Sequence, residues 1–431
     1  MNAFILRDFD AHLRRLETVA GNGNWLAEFR RRSYQELSGQ GLPTVKTEDW
    51  KYTKLRDLLV QAFVQPRSTG LVDVPRCDAE HVVVMVNGHP AAEHSRVRRL
   101  PEGVSVTGMK DWLDNKAVPA EFGGIATHQG HPFAALNSAL FDDGLMINVA
   151  PGVAMDQPLV VLWLISSNDA AVVHPRLLVR LGAGAQLALV EQHLGGQREH
   201  LVNKLGELSI GDGGNLIHLQ LQQTGGTHLI NGCHVRCGRD SSYNVQNFDL
   251  GGALIRNDLM ISMAAAGADV CADGLFLTAG GEQVDNHVRV DHLVPRCRSR
   301  VFYKGLLGEE GCGVFNGKLI VHTDAQKTDA RQVNHNLLLS PHVEIDTKPE
   351  LEIYADDVQC SHGCTTGEMD PDQLFYLRAR GIPESRARKM LVDAFAGEML
   401  DRLALPVEMI AARMQAALAR LVNGDGPQED P

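Results

Sequence analysis

LVNKL (201–205), LINGCHVRC (229–237), IRNDLMIS (255–262), VDNHVRVD (284–291) and FNGKLIVH (315–322) can be laid over one another on Asn203, Asn231, Asn257, Asn286 and Asn316. The steps between these asparagines are 28, 26, 29 and 30 residues. Self-similarity at a nearly fixed period marks a repeat architecture, in which each unit buries its apolar side only against its neighbours. A unit of this length, with short alternating strands and no helix, suits one coil of a parallel β-helix. The asparagines would then stack as a ladder of side-chain amides at one bend. The alternative is that asparagine recurs because turns favour it. The period is well beyond the roughly 18 residues of a three-hexapeptide coil, which favours the right-handed form.

Outward from these segments, Gly-rich turns part the strands from about 155 to 365: GAGAQ at 182, GDGGN at 211, GRDSS at 238 and AAGAD at 265. Residues 1–78 read as helical, with Ile5, Leu6, Phe9, Leu13 and Leu16 on one helical period and Trp25, Phe29 and Leu37 on the next. Thr47 is placed to cap a short helix in TEDWKYTKLRDLL. HVVVMVNGHP at 81 reads as a strand running into an Asn87-Gly88 turn, within a mixed connecting region at 79–154. After the β-helix at 155–365, residues 366–431 return to helix. DQLFYLRARGI is stopped at Gly381-Ile382-Pro383, ESRARKMLVDAFAGEMLDRL carries a stripe through Leu391, Phe395, Met399 and Leu403, and Ile410, Met414, Ala417, Leu418 and Leu421 mark a last helix. The tail GDGPQEDP is expected to be disordered. The expected fold is thus mainly β: a right-handed parallel β-helix flanked by helical regions.

Composition narrows the function classes. The chain has 431 residues, 44% apolar and 22% charged, and 41 Lys and Arg against 53 Asp and Glu give a net charge of −12. An acidic chain is a poor match for phosphate backbones, so no nucleic-acid partner is expected. The longest apolar run, at 159–165, is far short of a bilayer span, and the Arg- and Asp-studded N-terminus does not read as a secretory signal. Eight scattered cysteines in so long a chain point to reduced thiols and a cytoplasmic protein.

Most catalytic motifs are missing. GCGVFNGKL resembles a phosphate loop, but Cys312 stands at the first required glycine and Leu319 follows Lys318, so the Mg²⁺-binding hydroxyl is absent. No nucleophile elbow, HExxH or dinucleotide fingerprint is present. Polysaccharide lyases also use parallel β-helices, which makes Asp285, Asp291, Asp324, Asp329, Asp346 and Asp356 candidate acids; on a charged solenoid surface such groups are more simply solvated. The informative segment is YADDVQCSHGCTTGEMD. If it stays extended, Cys360, His362 and Cys364 project from one strand face, where two thiols and an imidazole suit Fe²⁺ or Zn²⁺ with a position left open. The competing reading is a buried cysteine and a structural histidine at a strand end. Cys233, His234 and Cys237 have metal-like spacing but fall inside a repeat, and packing is the simpler role. Cys297, between Arg296 and Arg298, is a candidate stabilised thiolate or a packed side chain.

Several segments together resemble one family. TEDWKYTKL, HPFAALNSALFDDG at 131, the stretch from VDNHVRVD to NHNLLLS (284–340), and ELEIYADDVQCSHG followed by DQLFYLRARGI are similar to the scaffold subunits of the Suf iron–sulfur cluster assembly system, and closer to the D-type than to the paralogous B-type subunit. The resemblance covers most of the chain and is densest from 280 to 400. It implies a non-catalytic scaffold that pairs with the B subunit, or with itself when alone. It also implies that an ABC-type ATPase, the C subunit, binds through the C-terminal helices, where Tyr376, Arg378 and Arg380 are the candidate contacts. A transient iron–sulfur cluster would form at the interface with the B subunit, with sulfur arriving there as a persulfide. No cofactor would be held tightly by the isolated chain, and reduced flavin in the complex is left open. On this resemblance His362 is the cluster ligand, Cys360 is the motif cysteine, and Cys364 is a departure, since the family pattern has alanine there. Asp356, Asp357 and Glu368 are the near-sequence candidates to orient His362.

Overall fold

The computed structural model describes residues 9–20, 25–66, 74–115, 119–406, 408 and 410–423. Ile5, Leu6 and the tail at 424–431 lie outside them. The chain is mainly β, 44% strand and 21% helix, and forms a β-solenoid of about eight turns with helices at both termini. From Leu159–Leu164 onward the long strands alternate between two sheets, so each turn gives one strand to each. Within a sheet these strands pair in parallel over nearly their whole length. The first strands of both sheets come from the connecting region: His81–Val86 pairs with Leu159–Leu164, and Gly144–Val149 with Arg176–Leu181. The expected phosphate-loop lookalike is a plain strand, Cys312–Val321, in the ten-stranded sheet.

The Gly-rich turns set the period. Gly184, Gly213, Asp240, Gly267, Arg296 and Lys327 all take positive φ at the same corner of successive coils. Gly213 N–H donates to the Arg239 carbonyl and Gly184 N–H to the Asp212 carbonyl, so the corner itself is laddered from coil to coil. The left-handed conformation is free for glycine and costs other residues about 1 kcal/mol or more, which explains why the turn motifs are Gly-rich.

The asparagine ladder is real at its centre and slipped at its ends. All five asparagines lie on the ten-stranded sheet. Asn231 is the register partner of Asn257, and Asn257 of Asn286. Their amides link at 3.0 and 2.9 Å inside the solenoid. Asn203, however, is level with Ile230, and Asn316 with His287. A shift of one residue turns a strand side chain to the opposite face. Asn203 therefore points outward, where it donates to the Phe133 carbonyl, and Asn316 lines an outer cleft. Lys204, not Asn203, occupies the inner column.

The outer face of each sheet is covered by helices. Trp25–Gln40, Pro132–Leu140 and the Glu48–Trp50 turn lie against the ten-stranded sheet, where Trp50 stacks on Phe133. Glu384–Leu400 and Ala411–Asn423 pack on the eleven-stranded sheet. The buried stripe of the former runs through Val392, Ala396 and Met399, one position round from the expected Leu391–Phe395 line; these two and Leu403 are half-buried. Ile410, Met414, Ala417, Leu418 and Leu421 are buried as expected.

Candidate functional site

The solenoid ends in two strands, Glu344–Ile353 on the ten-stranded sheet and Gln359–Glu368 on the eleven-stranded one. Gln359–Glu368 keeps unbroken parallel register with Asp329–Leu338 through Gly363, so the segment stays extended. Cys360, His362, Cys364 and Thr366 are level with Ala330, Gln332, Asn334 and Asn336, all buried in the interior. The row therefore continues the inner columns of the coil stack and faces the open mouth of the lumen. Cys360 is half-buried against the apolar core, while His362 and Cys364 are exposed.

Below the row lies a polar floor. Asn334 and Asn336 exchange side-chain hydrogen bonds, Asn336 donates to Thr366 Oγ1 at 3.3 Å, and Thr347 Oγ1 donates to Asn334 Oδ1 at 2.9 Å. These floor residues escaped the motif reading. Only the coil-to-coil register, which aligns NHN with CTT, could have found them.

Burial pushes the Cys360 thiol above its ordinary range, helped by Asp329 and opposed by the Ala330 amide. It is thus a poor thiolate until a metal or cation reaches it. Neighbours two apart on a strand are about 6.6 Å apart along the chain. Among the described residues, no three His, Cys, Asp or Glu side chains converge into a ready-made metal site. Asp356, Asp357 and Glu368 are exposed and none is bonded to His362; Asp357 instead pairs with Lys327 across the turn.

The backbone of the two last strands differs. Gln359 N–H donates inward to the Thr328 carbonyl, so by alternation the amides of Cys360, His362, Cys364 and Thr366 face the free edge. Glu344 N–H likewise donates inward to the Gly311 carbonyl, which puts the nitrogen of Pro349 on the other free edge. One edge presents an uninterrupted row of donors; the other is blunted at its middle by a proline.

Immediately after the terminal strand, Asp370 caps the helix Pro371–Ala379 by accepting from the Asp372 amide. None of that helix is buried. Phe375 and Tyr376 are exposed, the Arg380 guanidinium lies 3.6 Å from the Tyr376 ring centre, and Arg378 pairs with Glu384 at 3.3 Å.

The remaining candidates disperse. Cys233 and Cys237 point into the apolar interior, their thiols pushed up to about 12 by burial, while His234 lies on the opposite face against His131. Cys297 is buried and its thiol also raised by burial, which fits the packed side chain and not the stabilised thiolate. Asp285 and Asp291 lie on the outer face of the ten-stranded sheet, paired with Arg256 and Arg289; Asp346 lies two strands along in the register column of Asp285, Asp329 pairs with Arg331, and Asp324 and Asp356 lie outside the strands. A cleft of about 330 Å³ does open over that face, between the sheet and the Glu48–Trp50 turn. Its charges are spent on one another: Lys318 on Glu352, Lys348 on Glu48 and Glu350, and Arg256 on Asp258 and Asp285. No helix among the described residues is long and apolar enough to cross a membrane.

Known proteins are similar to this chain in sequence. The chain is 29% identical over 430 residues to an iron–sulfur cluster assembly SufBD family protein of Synechocystis sp., covering 94% of this chain and 92% of that one. It is 29% identical over 376 residues to the iron–sulfur cluster assembly protein SufD of Escherichia coli, covering 86% and 87%. It is 27% identical to the chloroplastic protein ABCI7 of Arabidopsis thaliana, covering 88% and 82%. The model of the SUF-system SufBD core domain matches residues 164–395 and that of the SufBD N-terminal region residues 9–161, so the chain belongs to the SufBD family of iron–sulfur cluster assembly proteins.

Proposed function

We propose that this chain is a D-type, non-catalytic scaffold subunit that lends ligands to a nascent iron–sulfur cluster at a joint with a paralogous B-type subunit. The observation that carries the reading is the exposed terminal strand, with Cys360, His362 and Cys364 in one row at the lumen mouth beside an unpaired backbone edge. A row of ligands two residues apart on one strand does not close around a single ion. A second chain added along the same edge would bring its own side chains over the mouth and complete the coordination. His362 is the principal ligand, Cys360 is secondary because its thiol is disfavoured as an anion, and Cys364 adds a third donor. Without the B-type subunit the same edge pairs with a second copy of the chain.

The exposed helix Pro371–Ala379 and the start of Glu384–Leu400 form the docking point for an ABC-type ATPase, with Phe375, Tyr376, Arg378 and Arg380 as contacts. Placed directly after the terminal strand, that helix couples motion of the ATPase to the joint.

The test is co-purification with a B-type paralogue and an ATPase subunit. Thr366→Pro removes a donor from the free edge and no backbone bond from the ladder inside, losing there only the 3.3 Å side-chain bond from Asn336, so the variant should fold, retain the ATPase and lose the B-type partner. Retention of the partner at wild-type level would refute the seam.

A further inference from the structure

Among the described residues of the coil beneath the terminal strand, the buried amide of Gln332 is left incomplete. Gln332 is wholly buried, and its Nε2 donates to the Gly317 carbonyl at 3.0 Å across the lumen. That bond fixes the amide's orientation, which leaves Oε1 buried with no partner. Gly317 makes room for it: a Cβ there would meet the Gln332 amide at 2.5 Å. An acceptor shut away from water without a donor costs about 1–3 kcal/mol and calls for an explanation.

Directly above Gln332, its register partner in the terminal coil is His362. His362 has no hydrogen-bond partner among the described residues, and its ring carries two nitrogens. One donor is wanted by the floor, and one lone pair is wanted by a metal. An imidazole that ligates a metal normally gives its other N–H to a fixed acceptor, which sets both tautomer and ring angle.

We infer that Gln332 is the positioning residue of His362: the two are register partners left unbonded to each other in the structure, and a turn of the exposed ring lets Oε1 accept its N–H and frees the other ring nitrogen for a metal at the lumen mouth. This inference rests on the reading of His362 as a ligand. It replaces the acidic residues near in sequence, Asp356, Asp357 and Glu368, with a neutral amide 30 residues away that only the coil register brings beneath the histidine. A neutral acceptor orients the ring without adding a charge of its own.

The test reads the tautomer of His362 by ring-labelled histidine NMR on the isolated, iron-free chain, with the signal assigned by its loss in His362→Ala. The wild-type chain should show one dominant tautomer. Gln332→Met keeps the volume and removes the acceptor, and both tautomers should then be populated. Gln332→Glu keeps an acceptor oxygen and should restore a single tautomer. An unchanged tautomer ratio in Gln332→Met, or a Gln332→Glu that behaves like Gln332→Met, would overturn the inference. Because no cluster is present, such a failure would leave the ligand role of His362 standing, whereas normal cluster loading by His362→Ala would remove that role and leave the tautomer result intact.

Discussion

The two ends of the solenoid are built on opposite principles. At the first end the chain closes its own sheets. Val104–Gly108 lies antiparallel on Gly144–Val149, and His81–Val86 is covered by the short strands at His89–Pro90 and Arg96–Val97. Nearby, the buried pair Arg176–Glu207, at 2.6 Å, ties the N-terminal region down, with Glu207 also accepting from the amides of Gly123, Ile125 and Ala126. At the last end none of the described residues covers the terminal strand, and the lumen opens on a row of thiols and an imidazole. A solenoid needs a cap at each end because the last coil has no neighbour to bury its face. An end that supplies its own cap is built for stability, and one that withholds it is, on the proposed function, left for a partner.

Substitutions should separate the two ends sharply. The largest effect is expected at the closed one. Burial alone would raise the Glu207 carboxyl, yet Arg176 and the backbone amides of Ala126 and Gly123 hold it below the usual carboxylate range. Glu207→Ala leaves Arg176 buried without its counter-charge and should cost about 3–5 kcal/mol in urea unfolding. A loss under about 1 kcal/mol would mean that the clamp is not what holds the N-terminal region.

Between the ends, the amide ladder terminates on a carboxylate. Asn257 and Asn286 both donate to Asp249. Burial nevertheless raises that carboxyl from 3.8 to about 6. A native-state value above the unfolded one means that this group's contribution is fully present below pH 4 and is lost as pH rises through 6. That amounts to roughly 3 kcal/mol. Asp249→Asn has no such proton to lose, so its stability relative to wild type should rise by roughly that amount between pH 4 and pH 7. A pH-independent difference between the two proteins would contradict the assignment.

At the open end the expected effects fall on association. Replacing Phe375 and Tyr376 together by alanine should weaken ATPase binding by tenfold or more in calorimetry, about 1.4 kcal/mol, since exposed aromatics commonly dominate such contacts. Undiminished affinity would move the docking point elsewhere. Cys364→Ala, on a side chain already in solvent, should change stability by less than about 0.5 kcal/mol. A larger loss would show that the mouth is part of the core and not a surface kept for a partner.

The repeat was legible because a solenoid writes its geometry into spacing: the turn glycines recur, and so do the strands between them. The asparagine alignment went wrong at its ends for the same reason. Coils vary by a few residues, and a slip of one residue exchanges inside for outside, which placed Asn203 and Asn316 on the wrong face and hid Lys204. The Cys360–His362–Cys364 row could be read from alternation alone. Its surroundings could not, because the contacts of a parallel coil lie about 30 residues away: Gln332 beneath His362 and Asn334 beneath Cys364. Proximity in sequence suggested Asp357, which folding commits to Lys327.

On the proposed function the open end exists to present His362 to a cluster. The most direct measurement is the iron and sulfide content of the complex with the B-type and ATPase subunits, purified without oxygen, with wild-type chain or with His362→Ala. The variant complex should assemble with all its subunits and carry far less iron and sulfide. An intact complex loaded to the wild-type level would contradict it and leave His362 as a bystander at the end of a strand.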